Sequence, residues 1–221
     1  MNGVELTQAI KERHSVRAYS ERGIEPEKRE ELNRLIRGCN ADGRLDIVIR
    51  YDDKSGFDSR LAHYGKFKNV SNYIVLAGTP SPNLQERCGY YGEKLVLAAQ
   101  CMGLNTCWVA LSFNKQAVRR LLPQGEKLVA VIAVGYGETC GVQHKGKKLE
   151  QIVDVKGEAP DWFLQGARAA LLAPTAMNQQ KFKISLVNGE PVIKAGLGPY
   201  SEIDLGIVKY HFEAASGHKV K

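Results

Sequence analysis

Long apolar runs are missing from this 221-residue chain. None approaches the roughly 20 residues that a bilayer-spanning helix needs, so no membrane segment is expected. The first residues, Met1-Asn2-Gly3-Val4-Glu5-Leu6, hold no basic region followed by an apolar core, so no secretory signal is expected either. Cysteine is sparse and odd in number: Cys39, Cys88, Cys101, Cys107 and Cys140. No two of them form C-x-x-C, which disfavours both a disulfide framework and a zinc site. Cys101 and Cys107 lie among apolar neighbours and read as small core residues. A reducing, cytoplasmic setting fits this usage. The histidines (His14, His63, His144, His211, His218) have no ligand spacing, and no metal site is expected. There is no Walker A motif, no G-x-G-x-x-G turn after a strand and no G-x-S-x-G elbow.

Acidic residues are outnumbered. The chain has 24 Asp and Glu against 31 Lys and Arg, a net charge of +7 and a pI near 9.1. Such a balance permits nucleic acid, a membrane surface or small anionic ligands as partners. The basic residues are spread along the chain, densest at Lys145-Gly146-Lys147-Lys148. Without an aromatic-basic RNP pattern or zinc-finger spacing, nucleic acid is the weaker inference. What remains is ordinary: 43% hydrophobic and 25% charged residues, with length for one large or two small cores.

Periodicity and breakers divide the chain. An amphipathic segment over 4–10 predicts an N-terminal helix. Pro26 opens a second helix with Leu32, Leu35 and Ile36 as its apolar stripe, ended by Gly38 or Gly43. Residues 45–49 read as a strand, 52–68 as a polar loop with a short helix over 59–64, and 73–77 as a buried strand. The run 85–102 is apolar nearly all round, which predicts a central buried helix capped by Gly103. A strand over 106–111, a short helix over 116–122 and a strand over 128–134 follow. After Gly135-Tyr136-Gly137 and a basic loop, a helix runs from Ala159 to Leu172 and stops before Pro174. Strands over 183–187 and 191–194 flank Asn188-Gly189, a strong hairpin signal. A helix over 203–215 closes the chain. Helix, strand and apolar helix occur once before Gly135 and, more briefly, again after Pro160.

Four stretches hold chemistry-bearing residues. Arg13-His14-Ser15-Val16-Arg17 sets two forked guanidiniums, a ring N–H and a hydroxyl within five positions. It suits an anion; read alone it is first a solvated basic helix end. Pro174-Thr175-Ala176-Met177-Asn178-Gln179-Gln180 offers a hydroxyl and amides that match a heterocycle edge, or simply a polar loop. Thr106 to Ser112 runs from a strand into a loop whose small residues let a backbone approach a flat ligand, although Trp108 reads first as core. The basic run His144 to Lys148 is either an anion contact or a solvated cluster.

Taken together and in order, these stretches resemble the flavin-dependent nitroreductase family. Arg13-His14-Ser15-Val16-Arg17-Ala18-Tyr19 is similar to its R-[RH]-S-x-R-x-[FY] entry motif. Gly92 to Ala99 through Gly103-Leu104-Asn105-Thr106-Cys107-Trp108 is similar to its central helix and following strand. Val131 to Tyr136 is similar to its late strand, and Lys145-Gly146-Lys147 to its basic K-x-[RK] motif. The likeness covers most of residues 5–153. It implies an α+β fold, a central mostly antiparallel sheet wrapped by helices. It also implies FMN as cofactor, NADH or NADPH as reductant, and a small nitroaromatic, quinone-like or related acceptor. Arg13 and Arg17 would hold the phosphate and the ribityl or ring oxygens, assisted by His14 and Ser15. Lys145 and Lys147 would add charge beside the phosphate, and backbone N–H groups at Val109, Ala110 and Leu111 would face the flavin N5 edge. No protein side chain is required as the catalytic group.

One departure sharpens the reading. Family members are homodimers with flavin at the interface, where a second subunit supplies a P-S-x-x-N-Q-like segment that follows the second helix. Here that place holds Gly38-Cys39-Asn40-Ala41-Asp42-Gly43, and the motif stands instead at Pro174-Thr175-Ala176-Met177-Asn178-Gln179. The chain thus resembles a branch whose two pseudo-symmetric halves, 1–155 and 156–221, mimic the dimer. One flavin per chain and a monomer are the expectation, with Pro174, Thr175, Ala176, Asn178 and Gln179 lining the flavin from the second half. The alternative is a relative of the same fold that binds flavin poorly or not at all, acting as a basic small-ligand or nucleic-acid binder.

Overall fold

The computed structural model describes residues 3–155 and 157–221, apart from the side chains of Leu61 and His63. Met1 and Asn2 of the signal-peptide reading, Lys156 at the boundary between halves and the His63 side chain lie outside the described residues.

Two sheets form the frame. The larger contains β1 (Val48–Arg50), β2 (Tyr73–Gly78), β3 (Asn105–Val109) and β4 (Lys127–Gly135), in the order β1-β2-β4-β3 and antiparallel throughout. The smaller contains β5 (Val153–Asp154), parallel to β6 (Phe182–Val187), which pairs antiparallel with β7 (Glu190–Ala195). β5 is two residues long and leaves no periodic trace in the sequence. The β6–β7 turn is as the dipeptide predicts: Asn188 and Gly189 have φ of 52° and 81°, the left-handed pair that a two-residue hairpin requires.

β2 and β4 read as apolar on both faces because both faces are covered. Ile74, Leu76, Ile132 and Val134 face one core, where α2 (Pro26–Gly43), α4 (Leu84–Cys101), α6 (Asp161–Leu171) and α7 (Ser201–Ser216) pack. Their neighbours Tyr73, Val75, Val131 and Ala133 face a second core with Val16, Tyr19, Phe57, Phe67 and Phe113. The period of two along each strand thus sorts side chains between cores. The predicted polar loop 52–68, with α3 (Arg60–Tyr64), covers this second face.

α4 is the central helix the sequence predicts, with Leu95, Val96, Leu97, Ala98 and Ala99 buried. It crosses α7 backbone against backbone. A Cβ on Gly89 would fall on the carbonyl oxygen of Ile203, and one on Gly206 on that of Glu86. α1 (Gly3–Glu12) lies against the same helix pair through Ala9 and Ile10.

The start of the first strand differs from expectation for an identifiable reason. The first strand begins at Val48 rather than at residue 45, because the Asn40 side chain takes both backbone groups of Ile47, at 2.8 and 3.0 Å. α2 ends at Gly43, the later of its two predicted stops, with Arg44 at φ 49° as its cap.

Candidate functional site

Ser15 and Arg17 follow the end of α1 and its Arg13 N–H bond to the Ala9 carbonyl. The chain there is drawn into an extended path by single ladder contacts, Ser15 beside Thr106 and Ala18 beside Lys68. This lays Ser15 and Arg17 along the open edge of β3, exposed, while Val16 and Tyr19 turn inward. On the other side, α6 ends at Leu171, and residues 174–180 loop back toward the first turn of α7.

Between them lies a cavity of about 750 Å³, within the range of small-molecule and cofactor sites. Ser15 and Arg17 line one side and Val109, Ala110, Leu111 and Ser112 the end of β3; Pro174, Thr175, Ala176 and Met177 line the opposite side. Gly65, Phe67, Trp108, Tyr200 and Asp204 complete the walls. The two distant stretches singled out in the sequence therefore face one cavity. At its rim Leu111 and Met177 are exposed, at 58% and 80%. Arg17 and Asp204 are the charged residues lining it. Among the described residues the Arg17 side chain makes no ion pair.

The other predicted site residues lie outside the cavity lining. Arg13 is 4% exposed, and its Nε lies 4.0 Å from Glu93 Oε1 without a hydrogen-bond partner. Burial lowers the Arg13 pKa, while Glu93, then Cys107, counter it. Glu93 is fully buried: its Oε2 accepts from Trp108 Nε1 at 2.8 Å, and its Oε1 lies 2.8 Å from His211 Nε2. Burial lowers the His14 pKa too, with Arg13 adding to it. Burial raises the Cys107 thiol, against the pull of Arg17, the Ser15 hydroxyl and Arg13.

The basic loop docks on the 174–180 loop through Gln180, which is buried. Gln180 Oε1 accepts from Lys147 N–H at 2.7 Å, and its backbone oxygen from Lys147 Nζ at 2.7 Å. The Lys145 carbonyl accepts from Asn178 Nδ2 at 2.8 Å and from Gln180 Nε2 at 3.0 Å. Lys147 thus spends its ammonium on the neighbouring loop, and the Lys145 side chain is exposed. Gln179 turns to Asp204 and Pro199 rather than into the cavity.

Sequence reasoning missed Trp108, taken as core, and the contribution of α7. One signal was present: Asp204 interrupts the apolar run Ile203-Asp204-Leu205-Gly206-Ile207-Val208, and a lone acid on a buried helix face calls for a reason.

Among the described residues no group of His, Cys, Asp or Glu is placed to hold a metal ion, and no helix is long and apolar enough to cross a membrane.

Relatives share this architecture. A structure described as "putative nitroreductase" from Thermotoga maritima superposes with a TM-score of 0.68 over 97% of this chain and 85% of that one, at 22% identity. A structure from Parabacteroides distasonis described as "Putative NADH dehydrogenase/NAD(P)H nitroreductase" is 28% identical, with a TM-score of 0.54 over 67% of this chain and 96% of that one. One from Bacteroides thetaiotaomicron, described in the same words, is 25% identical with a TM-score of 0.54, over 69% and 97%. No curated protein matches the chain. The model of the family described as "Putative TM nitroreductase" matches residues 5–216, and the chain belongs to that nitroreductase family.

Proposed function

We propose that the protein is an FMN-dependent NAD(P)H oxidoreductase that reduces nitroaromatic, quinone-like or related small acceptors. The observation that carries this reading is the shared cavity: Ser15 and Arg17 on one wall, Pro174 to Met177 on the other. The description of the Parabacteroides and Bacteroides relatives, "Putative NADH dehydrogenase/NAD(P)H nitroreductase", supports the reductant.

The residues present fit a flavin. Arg17 offers a fork of donors that makes no ion pair among the described residues, and Ser15 adds a hydroxyl to the same cavity wall. Arg13 is a buried guanidinium with an orphaned Nε, near a carboxylate already committed to Trp108 and His211. A phosphate would satisfy such a cation. Phe67, Trp108, Val109 and Ile207 give the flat apolar walls that a tricyclic ring needs.

FMN, when bound, supplies hydride transfer between a nicotinamide and an acceptor. This chain's own part is to bind, orient and shield. Arg13, Arg17 and Ser15, with Lys145 exposed nearby and His14 assisting, hold the anionic and polar edge. Pro174, Thr175 and Ala176 close the opposite side, and the exposed Leu111 and Met177 form an apolar rim that admits an acceptor and sheds water. Asn178, Gln179 and Lys147 act through loop geometry, since their side chains are engaged with neighbouring loops. In this reading 1–155 and 156–221 are the halves of one site, with one flavin per chain and a cytoplasmic monomer.

The test is an absorbance spectrum. The purified chain takes up one equivalent of FMN, and NADH or NADPH bleaches the flavin band under anaerobic conditions. A colourless protein that ignores added FMN would instead favour the flavin-free binder. Two FMN per chain would overturn the shared site.

A further inference from the structure

The cavity wall opposite Arg17 carries one short 3-10 turn, Ala176–Asn178, broken at Met177 by a non-helical φ. Met177, Asn178 and Gln180 have positive φ (52°, 52° and 44°), and so does Tyr200 at 61°. None is a glycine, and such conformations cost free energy that the surroundings must supply. The loops 174–180 and 196–200 belong to no shared ladder. Both meet at Asp204 on the first turn of α7: its backbone N–H donates to the Tyr200 carbonyl at 3.0 Å, and its carboxylate holds the 174–180 loop. Asp204 Oδ1 accepts from the Ala176 backbone N–H at 2.9 Å, and Oδ2 accepts from Gln179 Nε2 at 2.7 Å. Gln179 Nε2 also donates to the Pro199 carbonyl at 2.8 Å. Asp204 is 6% exposed, and the exposed part lines the cavity.

We infer that Asp204 is a positioning residue: through Ala176 and Gln179 its carboxylate clamps the two irregular loops together and sets the wall against which the bound flavin is held. This rests on the flavin reading proposed above, although the clamp itself stands on hydrogen bonds that need no ligand.

A residue kept only for stability would be an odd choice here. Burial raises the Asp204 pKa, and the two donors only partly offset this. A neutral or apolar side chain would fill the place at lower desolvation cost. What a carboxylate provides, and a neutral amide does not, is two acceptor-only oxygens facing two donors. In Asp204→Asn the amide can still accept from Ala176, but it then turns an NH₂ group toward the Gln179 NH₂.

The experiment uses the full-length chain. Asp204→Asn and Gln179→Ala are made singly and together, and each is titrated with FMN, melted, and followed by amide hydrogen exchange without ligand. We expect FMN affinity in Asp204→Asn to fall about tenfold to a hundredfold, from loss of a charge-assisted bond. Thermal stability should be held or raised, and the Ala176 amide should exchange faster. The double variant should bind FMN no more weakly than the weaker single one, because both changes open the same clamp. A melting temperature that falls in step with affinity, together with additive single effects, would make Asp204 merely structural and overturn the inference. So would unchanged affinity and unchanged Ala176 exchange. If the wild-type chain ignores FMN, the flavin reading fails on its own, and exchange alone judges the clamp: faster exchange in Asp204→Asn supports it and unchanged exchange overturns it.

Discussion

His211 ties Glu93 to the last turn of α6. His211 Nδ1 lies 3.1 Å from the Ala169 carbonyl, which can only accept, so Nδ1 is protonated. His211 Nε2 lies 2.8 Å from Glu93 Oε1. The Arg13 guanidinium lies beside the same carboxylate, its Nε 4.0 Å from Glu93 Oε1. The cluster joins the end of α1 to α4, β3 and α7, directly behind the wall made by Trp108.

Removing the carboxylate should expose that arrangement. Glu93→Leu leaves Arg13 as a buried cation without a counter-charge and Trp108 Nε1 without an acceptor. The expected loss is about 3–5 kcal/mol, read as a lower urea midpoint at unchanged slope. A loss below about 1 kcal/mol, the scale of exposed pairs, would show that the pair is not held as described.

The crossing of α4 and α7 makes a second prediction. Gly206→Ala places a methyl group on the Glu86 carbonyl oxygen and next to the Tyr90 backbone nitrogen, so the helices must separate. Overpacking of this kind costs about 1–3 kcal/mol or more. The melting temperature should fall by about 2–4 °C for each kcal/mol in a chain this size. Gly38→Ala, where the added Cβ meets nothing within 4 Å, is the control and should leave stability equal or better.

The two arginines of the entry stretch should separate in experiment. Arg17 is exposed and makes no ion pair among the described residues, so Arg17→Ala should keep stability within about 0.5 kcal/mol while weakening FMN. Arg13→Ala should weaken FMN by about 1.5–3 kcal/mol, the worth of a charge-assisted contact, and also change stability, because Glu93 loses its neighbour. Calorimetric titration beside thermal melts distinguishes them. Equal stability effects would contradict the difference in burial.

Acid should loosen the segment before α2. The Tyr136 hydroxyl, Glu25's own backbone N–H and Arg22 together hold the Glu25 carboxyl down at about 2. A depressed carboxylate contributes stability that is present above its unfolded value and lost as pH falls through the folded one. The link between Glu25 and Tyr136 should therefore persist to about pH 2, in a carbon-detected titration of Glu25. A midpoint near 4.5, the ordinary value, would mean that Tyr136 does not hold it.

The strongly periodic parts of the fold were legible. The central helix, the buried strands β2 and β4 and the β6–β7 hairpin are written in runs of like residues and in Asn188-Gly189. Ile47 was misplaced because the Asn40 side chain competed with the strand ladder, a contact that residue type alone does not announce. In the site, the presence of Arg17 and Ala176 on one cavity could be read from motif order. The inward turn of Arg13 could not, because it depends on Glu93, a residue 80 positions away that looks like any acid on a helix. Gln179 likewise looked like a ligand contact until Asp204 and Pro199 claimed its amide.

β5 gives the chain an unexpected continuity. It stands before α6, within the earlier segment, yet its partner is β6: Val153 sits beside Ile184, and Ile184 N–H bonds the Ile152 carbonyl at 2.8 Å. A protease that nicks the chain between β5 and α6 would thus leave two fragments already stitched by a ladder and by one shared core. Such fragments should travel together and, expressed separately, reassemble into the parent.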